Sequence, residues 1–572
     1  DRARRRRGNQ RGPFGLWGRE TFVAEDVPKF LNDALKVLWP QVSAYFREVL
    51  ESSVQTAVQE SLPAPINGQL AFEKRRCHLG QEPPNFRSIR VSRAYQATLK
   101  GEAENLSFRA DFEWEGDCSV FLRCAGVGVG LRSIAIRGSL DVQLYGLCSE
   151  LPMFKGVRVF LLNPPDVSFK WQGAAKVDCM GILKRTLLQT ISTLISDTIV
   201  VPNMLGYALS EDADIFCIKN PHPAGLLRFT VHSAEGLIAV DHNLLGQPAT
   251  SDPFFELRCG AQQARSATQY KTLTPSYEHT VVLLVTSLEH QNVRLTFYDE
   301  NVVSAQHFLG AAELPVVDAI SWGGRRRALG LADAAGLSGA SGQVWCSAEW
   351  RPLVSNPKTM ALPRDSDGAC FAFAGLYSAS GVPVLGRGAE HWVSAECSHL
   401  APLSPRPRTQ ETAHLPDSGA SREAMEVEAN KMKAKLKLMH SYGMSAEDMA
   451  SVLGIERDAL LQLMRPAGLP AADAEAPSAA AGTQRLVFEH AFEFLVSDPS
   501  SAVMTFWLMR SAPGPEAADP DVCSVDLGAV LKAPKHGLSR TLLTKDGAKL
   551  EFRFQLRFFA APTDEVWFDA ED

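Results

Sequence analysis

The period of the hydrophobic pattern changes in the first third of the chain, and no other feature limits the fold as much. In LSFRADFEWEG, Leu106, Phe108, Ala110, Phe112 and Trp114 alternate with polar or charged residues. This is the two-residue period of a strand with one apolar and one wet face. CSVFLRCAGVGVGLRSIAIRGSLDVQLYG and GVRVFLLNPPDVSFKWQG continue as long strand material with few charges at inward positions. Upstream the spacing is helical: Val27, Phe30, Leu31, Leu35, Leu38, Trp39, Val42, Phe46, Val49 and Leu50 recur every three or four residues, with Pro40 predicted to kink or divide the helix. Downstream, Leu183, Leu187, Leu188, Ile191, Leu194 and Ile195 form one stripe that Pro202 closes. The pattern predicts an α+β domain over 20–208, a sheet packed with two helices.

The length of 572 residues admits three or four domains, and 45% hydrophobic with 22% charged residues suits globular protein. A net charge of −7 argues against nucleic acid as the main partner. The 11 cysteines show neither a CxxC pair nor metal-ligand spacing, so reduced thiols fit better than a disulfide framework. No stretch reaches the roughly 18 to 20 uncharged apolar residues of a membrane span. The opening DRARRRRGNQR, within residues 1–19, reads either as a disordered basic arm or as the cytosolic flank of an anchor upstream. No Ser/His/Asp set, phosphate-cradling glycine loop or metal-hydrolase spacing emerges, which disfavours an enzyme.

DVPKFLNDALKVLWP, HLGQEPPNFRSIRV, ELPMFKGVRVFLLNPPDVSF and IVVPN follow one another over about 185 residues in an order that resembles the SMP domain of extended synaptotagmins, tricalbins and plant synaptotagmins. The resemblance implies a TULIP-like elongated groove that holds the acyl chains of glycerolipids or phospholipids, in a head-to-head homodimer. Such a groove needs apolar walls, because burying an unpaired charge is costly. Candidate lining residues are Trp114, Val120, Leu122, Leu140, Val142, Val159, Leu161, Phe169, Leu183 and Leu187. Alternation alone does not separate those facing lipid from those in ordinary core.

From 224 to 352, LLRFTVHSAEGLIAV, SDPFFELRCG, TVVLLV and VRLTFYDE are short alternating runs between turn residues, the pattern of an antiparallel sandwich. Loops at one end of a sandwich lie side by side, so Asp241 and Asp252 can converge with Asp299 and Asn301. Calcium takes six to eight oxygens, several of them from carboxylates. AEGLIAVD, SDPFFEL, KTLTPSYEH and YDENVVSAQHFLG together resemble a C2 domain, the calcium- and phospholipid-binding sandwich. Its five aspartate positions read Asp241, Asp252, Asp299, Asn301 and His307, which leaves three anionic ligands and implies a degenerate, weaker calcium site. The resemblance also puts Leu244, Leu245, Val302 and Val303 at the mouth of that site, where they would enter a headgroup layer. Arg325, Arg326 and Arg327 would add attraction to an anionic leaflet.

Residues 368–560 read as a divergent second C2-like sandwich, interrupted at about 399–483 by a linker, LAPLSPRPRTQETAHLPDSG, and a helical insertion. Ser445 to Asp448 forms a capping box there. The insertion lacks the basic and amide residues of a nucleic-acid-reading helix, so an unidentified protein partner fits better. Glu390 is the only acid in the first loop of this sandwich, and Leu508, Met509 and Arg510 stand where the first has YDEN. Residues 561–572 form an acidic tail. The resemblance thus implies a non-enzymatic carrier of glycerolipid that tethers membranes at contact sites, on the cytosolic face of the endoplasmic reticulum. A calcium-responsive tether or adaptor that moves no lipid is the alternative.

Overall fold

A computed structural model describes residues 22–23, 27–50, 54–55, 58–59, 71–98, 101–124, 127–172, 179–210, 213–239, 241–242, 248–300, 307–333, 341–354, 370–385, 389–404, 406–417, 483–511, 520–560 and 562, for some of them the backbone alone. The chain forms two compact units. One contains the N-terminal domain and the first sandwich through Phe371; the other is built from 372–400 and 406–556.

The N-terminal domain opens with α1, Val27–Val49, which runs unbroken through Pro40. The predicted division is therefore absent. Pro40 removes one intrahelical bond to the carbonyl of Lys36, and both residues are exposed, so water can take that acceptor. Seven longer strands follow: β1 Asn85–Thr98, β2 Gly101–Gly116, β3 Val120–Cys124, β4 Val127–Leu147, β5 Phe154–Leu161, β6 Asp166–Gln172 and β7 Leu205–Ala208. All their pairings are antiparallel, in the order β1-β2-β4-β3. The 21 residues of β4 change partners along their length. Residues 130–137 pair with β6, and residues 140–147 pair with β5, which in turn pairs with β7.

Helix α2, Cys179–Ile199, packs Leu187 with Leu50, Val58, Val120 and Leu131. Trp39 of α1 meets Trp114 edge-on at 5.4 Å. A short helix, α3, Ile215–Lys219, is capped by Asp214, whose carboxylate accepts the N–H groups of Phe216 and Cys217. Its Ile218 sits so close to the sheet that a Cβ on Gly156 would lie 2.5 Å from Ile218 Cδ1.

The first sandwich has one sheet of β8 Gly225–Glu235 between β11 Ser276–Val285 and β15 Gln343–Val354, with β14 Arg327–Gly330 on β15. The facing sheet runs β10 Gln262–Arg265, β9 Pro253–Cys259, β12 Asn292–Asp299 and β13 His307–Pro315. Phe229, Phe255, Phe297 and Trp350 fill the space between the sheets.

The second sandwich repeats this plan. One sheet has β23 Lys549–Phe559, β16 Cys370–Pro383 and β19 Thr483–Val496, with β22 Gly537–Leu543 on β23. The other runs β18 Thr409–Glu411, β17 Glu390–Cys397, β20 Val503–Ser511 and β21 Asp521–Asp526. Much of the predicted linker is therefore folded. Thr409–Glu411 pairs with 394–396, Leu415–Pro416 pairs with 390–391, and the Thr412 hydroxyl accepts the Val393 N–H at 3.0 Å. These segments cover an edge of β17 that would otherwise stand open. Residues 418–482, with the predicted helical insertion and its capping box, lie outside the described residues.

Candidate functional site

Strand pairing extends the alternation in LSFRADFEWEG across the whole N-terminal sheet. Val91, Phe108, Val142, Val159 and Leu205 stand opposite one another on β1, β2, β4, β5 and β7. The next row holds Arg93, Leu106, Leu144, Val157 and Tyr207, and the previous one Ile89, Ala110, Leu140 and Leu161. Toward the other end of β4, Ile134 faces Phe169 and Ile136 faces Val167. Directly paired residues project to the same side, so these rows make one face that is apolar apart from Arg93 at its β1 end. Phe108, Val142, Val159, Leu144, Val157, Ile136 and Phe169 all remain half-buried. Ile136 and Phe169 pack against the core clusters under the helices, and at its β7 edge the face meets exposed Leu205 and Tyr207.

The other side of the same strands is polar and internally paired. Arg109 holds Asp141 through Nε and Nη2 at 3.0–3.3 Å. Burial pushes the Asp141 carboxyl above its ordinary value, with Arg109 opposing. For Asp111 burial acts upward, but hydrogen bonds from Ser139, Ser88 and Arg90 prevail and hold its carboxyl below the ordinary value. Arg158 donates to Gln143 at 2.8 Å and to the carbonyl of Cys217 at 3.2 Å. Burial brings its guanidinium down to about 10, still charged at neutral pH. Most charges of these strands are thus kept off the apolar face; Arg93, opposite Leu106, instead pairs with Glu104 at 3.2 Å on that face, at its β1 end.

Of the sequence-predicted lining residues, Leu140, Val142, Val159 and Phe169 lie on the half-buried apolar face. Trp114, Val120, Leu161 and Leu187 do not line an open surface; they are 7%, 7%, 4% and 1% exposed. Trp114 also donates from Nε1 to the carbonyl of Glu82 at 2.7 Å. The side chains of Leu122 and Leu183 lie outside the described residues. Phe108, Leu144 and Val157 lie on the same half-buried face, Phe108 in register with Val142 and Leu144 with Val157, and only the strand pairing places them there.

In the first sandwich the strands bring the predicted acids to one end. Asp299, the last residue of β12, is buried, and its Oδ1 accepts the Asp252 N–H at 2.6 Å. Asp252 Oδ1 accepts the Lys271 N–H at 2.7 Å, which ties the KTLTPSYEH loop to the same place. Asp241 pairs with Thr250, two residues before Asp252, and exposed His307 pairs with Asp299. The side chain of Asp241 and residues Leu244, Leu245, Asn301, Val302 and Val303 lie outside the described residues. Among the described residues no group of three or more His, Cys, Asp or Glu side chains is placed to hold a metal. Arg326 is engaged by the Ser233 hydroxyl at 2.9 Å and lies over Trp345.

The second sandwich differs at the equivalent end. His391 follows Glu390 as Pro253 follows Asp252, and it pairs with Arg510 where Pro253 pairs with Asp299. A guanidinium therefore occupies the register position of a buried carboxylate, and it bonds Asp546 at 2.7 Å.

Residues 24–210 match the family model of the synaptotagmin-like mitochondrial-lipid-binding domain, and residues 225–328 match that of the C2 domain. The chain is an SMP- and C2-domain protein. It is 23% identical over 290 residues to extended synaptotagmin-3 of Mus musculus, a match covering 51% of this chain and 31% of that protein. It is 26% identical over 347 residues to extended synaptotagmin-1 of Homo sapiens, covering 59% and 30%. The matches thus span about a third of the relatives' own length. A solved structure of extended synaptotagmin 2, comprising its SMP domain and two C2 domains, superposes with a TM-score of 0.53 at 16% identity, covering 93% of this chain and 98% of that one. This likeness concerns the fold. The SMP domain here is the one with the half-buried apolar sheet face, and the C2 domain the one with the paired aspartates. Among the described residues no helix is long and apolar enough to cross a membrane.

Proposed function

We propose that this protein carries glycerolipid in the SMP trough and tethers membranes at contact sites on the cytosolic face of the endoplasmic reticulum, its first C2 domain docking on an anionic leaflet. One observation carries the reading: an apolar row continuous over five strands stays half-buried, while most charges of the same strands are paired on the opposite side and Arg93 and Glu104 pair with each other at the β1 end. A sheet built only for stability would bury that face, since each aliphatic side chain removed from water contributes about 1.5–3 kcal/mol. Exposed Leu147, Leu151, Met153, Leu205, Tyr207 and Leu209 support a homodimer that continues the trough into a second copy.

Asp241, Asp252, Asp299 and Asn301 would hold calcium; the contact between Asp252 and Asp299 supports this, and a donor set with three carboxylates suits a weak site. The ion would supply positive charge beside anionic headgroups. Leu244, Leu245, Val302 and Val303 would then enter the headgroup layer, and the helical insertion would recruit a protein.

Lipid extraction and mass spectrometry of the purified chain, followed by transfer of labelled phospholipid between vesicles, test the proposal. Copurified glycerolipid and transfer are expected. Vesicle clustering by a chain that comes up empty would leave tethering alone.

A further inference from the structure

Within the first compact unit, the lipid-binding domain and the C2 domain meet at a built joint. The side chain of Asn163, in the corner between β5 and β6, grips the backbone of the segment leading into β12. Its Nδ2 donates to the carbonyl of His290 at 2.8 Å, and its Oδ1 accepts the N–H of Asn292 at 2.8 Å. Beside it Arg294 meets Asp166 at 3.1 Å. At the turn between β9 and β10, the Ala261 N–H donates to the carbonyl of Val201 at 2.8 Å. Gly260, with φ +59, admits this approach: a Cβ there would lie 2.4 Å from the Val201 oxygen. A side-chain amide satisfying a donor and an acceptor of one backbone segment fixes orientation as well as position.

All these contacts fall on the end of the C2 sandwich remote from the paired aspartates. Strand β12 has Asn292 at the joint and Asp299 at the acid loops, and β9 likewise runs from Pro253 to Cys259. The eight residues of β12 span roughly 25 Å at about 3.3 Å each.

We propose that the C2 domain is a docked, rigid spacer: the Asn163 corner seats the lipid-binding domain on the base of the sandwich, so that the acid loops face away from it at a fixed distance of one strand length. The joint goes beyond the proposed lipid carriage and does not depend on it.

Amide hydrogen exchange of the full chain, read by mass spectrometry on peptides containing Ala261 and Asn292, tests this. Both amides have acceptors on the other domain, so slow exchange, comparable to that of the strands flanking them, is expected. Asn163→Ala should speed Asn292 roughly tenfold, as for two lost hydrogen bonds. Asp166→Arg should speed it about threefold through repulsion of Arg294, and adding Arg294→Asp should reverse that change. Unchanged exchange within β9 and at residues 295–299 of β12 verifies that the variants fold. Exchange of both wild-type amides at the rate of open loops overturns the joint, as does indifference of Asn292 to Asn163→Ala. Lipid extracted from the same preparations reports separately on the trough: an empty chain with protected amides would sink carriage and leave the joint standing.

Discussion

Val142→Asp places one carboxylate in the middle of the apolar row, between Phe108 and Val159. The position is half-buried, so the ion can keep water in the empty protein, and the cost to folding is that of a poor strand residue, about 1 kcal/mol. With a lipid tail in the trough that water has to leave, or the tail has to lift away. If the hydrated carboxylate keeps three or four methylenes from the wall, the loss is about 2.5–3 kcal/mol at ~0.8 kcal/mol each, or roughly a hundredfold in occupancy. Ala135→Asp, on the polar side of the same strand, is the matched control, and Val142→Ala should lose only a small part of the affinity. The assay is lipid per chain after purification, alongside transfer between vesicles and the urea midpoint. Wild-type lipid content in Val142→Asp, with an unchanged midpoint, would refute the reasoning that this face contacts acyl chains.

Asp252→Asn combined with Asp299→Asn keeps an oxygen acceptor for the Asp252 N–H but removes two charges; the difference in vesicle binding between calcium and chelator should vanish, and its survival would rule out these ligands. Leu244→Asp with Leu245→Asp should weaken vesicle partition in calcium and in chelator alike, and an unaltered partition would remove them from the membrane contact. Arg109→Ala leaves Asp141 buried without its partner and should cost about 3–5 kcal/mol in denaturant unfolding; a loss under 1 kcal/mol would contradict the paired-face argument. Burial brings His490 down to about 4 from an ordinary 6.5. Between those values the unfolded chain binds more protons than the folded one, so stability falls as pH drops through that window, by up to about 3 kcal/mol. His490→Gln should flatten the fall, which urea titrations at pH 7 and 4.5 would detect.

Much of this was legible because side-chain period is a local property. The alternation from Leu106 to Trp114 marks an apolar face, and the stripe from Leu183 to Ile195 marks a helix. Depth is not local. Trp114 and Val142 both read as inward, yet Trp114 is buried against Trp39, while Val142 stays half-buried. That difference depends on where β4 exchanges β6 for β5, which its sequence does not signal. Asp252 and Asp299 were readable from their motifs, whereas the Asn163 clamp was not, because an Asn-Pro-Pro corner looks like any turn until its partner segment is known. The short strands around Thr409 were hidden by proline and serine, since a run that covers one edge needs only a few ladder bonds and no apolar pattern.

The exchange of a carboxylate for Arg510 separates the two sandwiches in what they need from their surroundings. A divalent ion held by Asp252 and Asp299, as proposed, would come from solution and leave when its concentration falls. A guanidinium cannot be diluted away or stripped by a chelator, and with Asp546 its balance is struck within the chain. On that proposal one half of such a pair would wait for a signal, while the other is permanently set.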